Sequence, residues 1–257
     1  MAWFAHENSI VRKIWGRHDT VLLIFAGSAA EFALNKAVDW LYFTGRLPSD
    51  PLGRLFSTVT YARNIVFAEN QRALSVIDAM RNIHKQVESN RNATIPDWAY
   101  RDVLYMLIYY SIASYETLER KLTASEKEEV YDVFYRVGDR MGLKELPKTY
   151  SLWLLSREHH LVHDLAVSQY TTDLFRQYKK HLGALRYKIL IESQKLVVPG
   201  RVYALLSFRP AKYLKPMIPL YRLIKKSNFD WLLFSKILPS NYREQIKALN
   251  VVSKSTS

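Results

Sequence analysis

DPLGRLFSTVTYARNIVFAENQRALSVIDAMRNIH, residues 50–84, carries two helix signals around one turn. Asp50 can cap free backbone N–H groups, and Pro51 suits the first helical position, so a helix is predicted over residues 52–68. Arg54, Thr58 and Tyr61 stand at i, i+4 and i+7 and share one face of it. Ala68-Glu69-Asn70 breaks the pattern. A second helix, predicted over residues 71–88, carries His84. If the two run antiparallel about that break, His84 comes level with Arg54. An arginine, a threonine hydroxyl and an imidazole then meet in mostly apolar surroundings.

Working outward, the chain has 257 residues, 49% hydrophobic, with only 8 glycines. Helix formers dominate, and strand-type alternation between turn pairs is scarce. The class predicted is all-α: one compact domain, residues 1–257, of about ten helices around a buried pocket. There is no cysteine. Disulfides, thiolate metal sites and cysteine nucleophiles are therefore excluded, and any metal must be held by nitrogen or oxygen.

The N-terminus lacks the apolar core and cleavage site of a signal peptide. The most apolar run, residues 21–30, is about half of the ~20 residues a membrane span needs. A cytoplasmic chain without a transmembrane helix is expected. The formal charge of +13 is uneven. Residues 176–257 hold 17 Lys+Arg against 3 Asp+Glu, while the first 175 residues are near balance. Residues 201–257 read as a basic helical extension packed on the domain. An anionic membrane surface is the partner this suggests. No nucleic-acid-binding motif accompanies the charge, so nucleic acid is not expected.

Along the chain, a long helix is predicted from Thr20 to Phe43, capped by Asp19. Thr94-Ile95-Pro96-Asp97 opens another, ending near Leu118, with Val103 to Ile112 buried. Ser125 with Glu128 reads as a capping box for a helix ending at Gly142. Residues 152–166 read as helical. Thr172 would cap a basic helix to His181, a further segment stops at Pro199-Gly200, and Ser240 would cap a last one.

Two histidine settings carry potential chemistry. His159 and His163 have the i, i+4 spacing of a zinc pair, but the HExxH order is absent; an exposed face is the expected role. His84 reads either as an ordinary half-exposed helix histidine or as an iron ligand. In the second case Arg54 would pair with a propionate or polarise dioxygen, and Thr58 would face the imidazole. Spacing leaves both open. No P-loop, GxGxxG or GxSxG motif is present, which removes the familiar nucleotide and hydrolase routes.

Residues 10–246 resemble the rubber oxygenase (latex clearing protein) superfamily, which includes the prenyl-chain-cleaving oxygenase of mycophenolic acid biosynthesis. DPLGRLFSTVTYARNIVFAE, NIHKQV, VLYMLIYYSIASYE and ILPSNYREQI carry the likeness by their order and spacing. The resemblance implies an all-α fold, haem b, dioxygen and an apolar, isoprenoid-type small-molecule substrate. His84 matches the iron ligand, and Arg54 and Thr58 match the R-x-x-x-T residues on the opposite side of the haem. Tyr61 would support them. Ser57 stands where rubber-cleaving members carry a lysine, so the pocket is implied without that lysine. Leu104 to Tyr109 lack a histidine that many relatives carry there, which leaves His84 as ligand. A haem-dependent oxygenase or oxidase is the reading. A haem-free helical protein that binds a membrane or partner through its basic third is the alternative.

Overall fold

The computed structural model describes residues 2–45, 50–226, 244 and 247–250. Eleven helices stand among them. They are α1 (Ile10–Trp15), α2 (His18–Phe32), α3 (Val38–Phe43), α4 (Pro51–Val66), α5 (Asn70–Arg91) and α6 (Asp97–Leu118), then α7 (Ala124–Met141), α8 (Tyr150–His163), α9 (Gln169–Val197), α10 (Gly200–Leu205) and α11 (Leu214–Lys226). The described residues contain no strand, only isolated bridges at Trp3–Glu69 and Asn35–Leu165. The chain is one all-α domain.

Local chemistry sets most boundaries. Asp50 Oδ1 accepts the Gly53 N–H at 2.8 Å, and Pro51 follows at the first helical position. Pro96 and Asp97 start α6 as expected. The capping box of α7 is Thr123 with Glu126, two residues before the predicted pair. Gly142, at φ 86°, ends that helix with its N–H on Asp139. Ser168 caps α9, not Thr172. The two segments expected across residues 172–198 are present: the helical run of α9 breaks at Gly183, whose non-helical φ of 74° suits glycine. The predicted Ser240 cap lies outside the described residues.

The helix expected from Thr20 to Phe43 is two helices. After α2 the chain turns at Leu34–Asn35, where the Leu34 carbonyl accepts from Ala166 and the Lys36 N–H donates to Asp164. Asn35 Oδ1 takes the Ala37 N–H at 2.8 Å. A side chain that satisfies nearby backbone outside the helix competes with helix continuation. Asp19 is not the cap; it sits in the first turn of α2. Its Oδ1 accepts its neighbour's N–H, and Oδ2 receives Tyr221 at 2.8 Å and Lys225 at 2.7 Å. Burial would raise this carboxyl, but Lys225 and Arg17 outweigh it and hold it below the ordinary range. Basic α11 is thereby tied to the start of α2.

α2 and α6 form the centre. Most of Val103–Ile112 is buried as expected, but Val103 is 39% exposed because it lies on an open cleft. At Gly27 the helices approach so closely that a Cβ would sit 2.2 Å from the Tyr110 ring. Alanine gains about 1 kcal/mol of helix propensity over glycine. Overpacking costs about 1–3 kcal/mol and should win, since Tyr110 is fully buried and cannot retreat. Gly27→Ala is expected to lower the thermal midpoint by roughly 2–4 °C per kcal/mol lost, measured by circular dichroism.

Candidate functional site

The antiparallel pair α4–α5 brings Thr58 and His84 to the walls of one cleft. α2 contributes Phe25 and Phe32 to it, and α6 contributes Tyr100, Val103, Met106 and Leu107. Its cavity volume is about 200 Å³, below the roughly 300–1,000 Å³ usual for ligand and cofactor sites.

His84 is half-buried, and its Nδ1 donates to the Met80 carbonyl one turn earlier at 2.8 Å. A carbonyl can only accept, so Nδ1 carries the proton and Nε2 holds the lone pair. The ring meets Tyr100 edge-on at 5.2 Å between centroids. Burial and Glu88 push the Tyr100 phenol above its ordinary value, so it stays protonated at neutral pH. Arg54 lies one turn before Thr58 on α4; its side chain is outside the described set. Ser57 and Tyr61 are half-buried on the same helix and, among the described residues, do not line the cleft.

Beneath the cleft lies a second, wholly buried polar cluster. Glu31, on α2, is 0% exposed. Arg157 clamps its two oxygens at 2.5 Å each, Tyr110 donates to it at 2.8 Å, and His160 Nε2 meets it at 2.9 Å. His160 Nδ1 lies 2.6 Å from Asp102, whose other oxygen accepts from Asn35 at 2.8 Å. Burial would raise the Glu31 carboxyl, but Arg157 and His160 hold it down at about 2. Burial lowers His160, yet Asp102 and Glu31 outweigh it and keep the imidazole above its ordinary value. Burial pushes Asp102 up.

The residue types of α8 anticipate this cluster only in part. His159 and His163 are exposed, with ring centroids 4.2 Å apart, as the sequence suggests. The chemically engaged member of the run is His160. Trp153, Arg157 and His160 share the buried face at i, i+4 and i+7. Glu31, a carboxylate near the end of the apolar run of α2, is the complementary signal, because a buried charge requires a partner.

Residues 15–228, most of the chain, match the family model described as ER-bound oxygenase mpaB/B'/rubber oxygenase, catalytic domain. The chain belongs to this family of oxygenases, enzymes that act with dioxygen on a substrate. No curated protein and no solved structure matches it. Among the described residues, no helix is long and apolar enough to cross a membrane.

Proposed function

We propose that the cleft between α2, α4, α5 and α6 holds haem b, and that the chain uses dioxygen to oxidise an apolar small molecule. The observation that carries this reading is the placement of His84 and Thr58 in one mostly apolar cleft. His84 suits an iron ligand because its Nδ1–H is fixed on Met80, which aims the ring and keeps Nε2 as the ligating nitrogen. Bound haem supplies the iron chemistry that activates dioxygen. Thr58 offers a hydroxyl that can donate to dioxygen, and Arg54, one turn away, adds a positive charge. Tyr61, one turn beyond Thr58 on α4, would support the pair. Ser57 brings no ammonium group to it. Phe25, Phe32, Met106 and Leu107 exclude water and favour an apolar, isoprenoid-type substrate.

Oxygen uptake by the haem-loaded protein tests this against a panel of isoprenoid and other apolar substrates. Uptake is expected only with haem and substrate together. No uptake beyond that of free haem, with any substrate, contradicts it.

The same reading places α11 on a membrane surface where such a substrate dissolves. Ile218, Tyr221 and Lys225 pack it inward, while Met217, Leu220 and Leu223 are 55%, 55% and 64% exposed. Lys212 and Lys215 are exposed beside that apolar stripe. This pairing of apolar and cationic groups suits a helix lying in an anionic interface. Sedimentation with anionic vesicles should deplete the protein from solution, more weakly as salt rises. Replacing Met217, Leu220 and Leu223 by Ser should weaken binding several-fold.

A further inference from the structure

We propose that Asp102, His160 and Asp164 bind one divalent transition-metal ion that pins the end of α8 to α6. Their donor atoms all lie within 4.8 Å of one another. His160 and Asp164 are four residues apart, in the last turn and C-cap of α8, and Asp102 meets them from α6. His160 and Asp102 are each 2% exposed. The Asp164 side chain, 21% exposed, leaves a way in from solvent.

The contacts of His160 Nδ1 are what point to an ion. Asp102 Oδ1 lies 2.6 Å from it and Asp164 Oδ2 3.5 Å, yet neither makes a hydrogen bond of acceptable geometry with it. Two carboxylate oxygens thus crowd one buried ring nitrogen, and their geometry at it is poor for a hydrogen bond. A cation shared by all three removes that conflict. The outer contacts fit as well. His160 Nε2 faces Glu31, the carboxylate partner that a ligating histidine uses to orient its ring. Arg157 and Tyr110 hold Glu31, and Asn35 holds the second oxygen of Asp102.

The charges agree. Glu31 and Arg157 cancel, and an ion on Nδ1 in place of the proton leaves a neutral imidazole with the two carboxylates Asp102 and Asp164. The Lys36 ammonium is engaged by the His163 carbonyl. One imidazole and two carboxylates favour Zn²⁺, Mn²⁺ or Fe²⁺ over Ca²⁺ and Mg²⁺, which prefer all-oxygen sets. The rival occupant of Nδ1 is a proton, which gives an imidazolium between Glu31 and Asp102. Asn35 also lines the cleft, so an ion here would stiffen the cleft wall from behind. The site stands apart from His84 and does not depend on haem.

Calorimetric titration of the chelator-stripped full chain with Zn²⁺ tests the site. The background carries His159→Ala and His163→Ala, because that exposed pair could bind zinc by itself. One ion per chain is expected, and Asp164→Asn should weaken it by more than the roughly 10-fold typical of losing an outer contact. Absence of saturable binding, or unchanged affinity in Asp164→Asn, overturns the proposal. As a second measurement, the unfolding midpoint of the same background should rise with Zn²⁺ by mass action. A midpoint indifferent to Zn²⁺ overturns it too.

Discussion

His84→Ala is expected to abolish the haem complex proposed for the intact chain. Titrating haem into both proteins and following the Soret band should show stoichiometric uptake by the parent. The variant should bind at least roughly 100-fold more weakly, since even outer-shell partners of a metal ligand are worth about 10–100-fold. The ring stands on a half-buried helix face, and its Nδ1 donates within its own helix to the Met80 carbonyl. Alanine is also the best helix former, so the fold should survive the change. Loss of the band with retained helicity isolates ligation from folding. A band of equal affinity in the variant would place the iron elsewhere.

Arg157→Met should be the most damaging substitution for stability. Arg157 is 3% exposed, and it is the cation that pairs with both Glu31 oxygens. Removing one partner of a buried pair leaves an uncompensated charge and costs about 3–5 kcal/mol. At roughly 2–4 °C per kcal/mol, the midpoint should fall on the order of 10 °C. Adding Glu31→Gln should recover much of that loss, because the stranded charge goes with it. Chemical denaturation of both variants measures the difference. A fall below 1 kcal/mol for Arg157→Met would mean that Glu31 is satisfied without it.

How much of this was legible depends on how far apart the interacting residues stand in the chain. The α4–α5 hairpin is local: Asp50-Pro51 starts it, Ala68-Glu69-Asn70 turns it, and Thr58 and His84 line one cleft. Pro96-Asp97 likewise fixes the start of α6. Caps two to four residues apart compete on equal chemistry, which is why Thr123 and Ser168 took the places expected of Ser125 and Thr172. The break after Phe32 was not readable. It comes from Leu34 and Lys36 pairing with residues 164–166, and no local pattern announces a partner so distant. The Glu31–Arg157–His160–Asp102 cluster was hidden for the same reason. Its sequence trace was Glu31 at the end of the apolar run of α2, whose need for a counter-charge the HExxH pattern at α8 does not address.

The absorption spectrum of the full chain, purified after expression with haem supply, tests the central claim most directly. A Soret band with one haem per chain, removed by His84→Ala in a protein of unchanged helicity, is the predicted result. A folded protein that takes up no haem, or one whose band is indifferent to residue 84, would contradict the account.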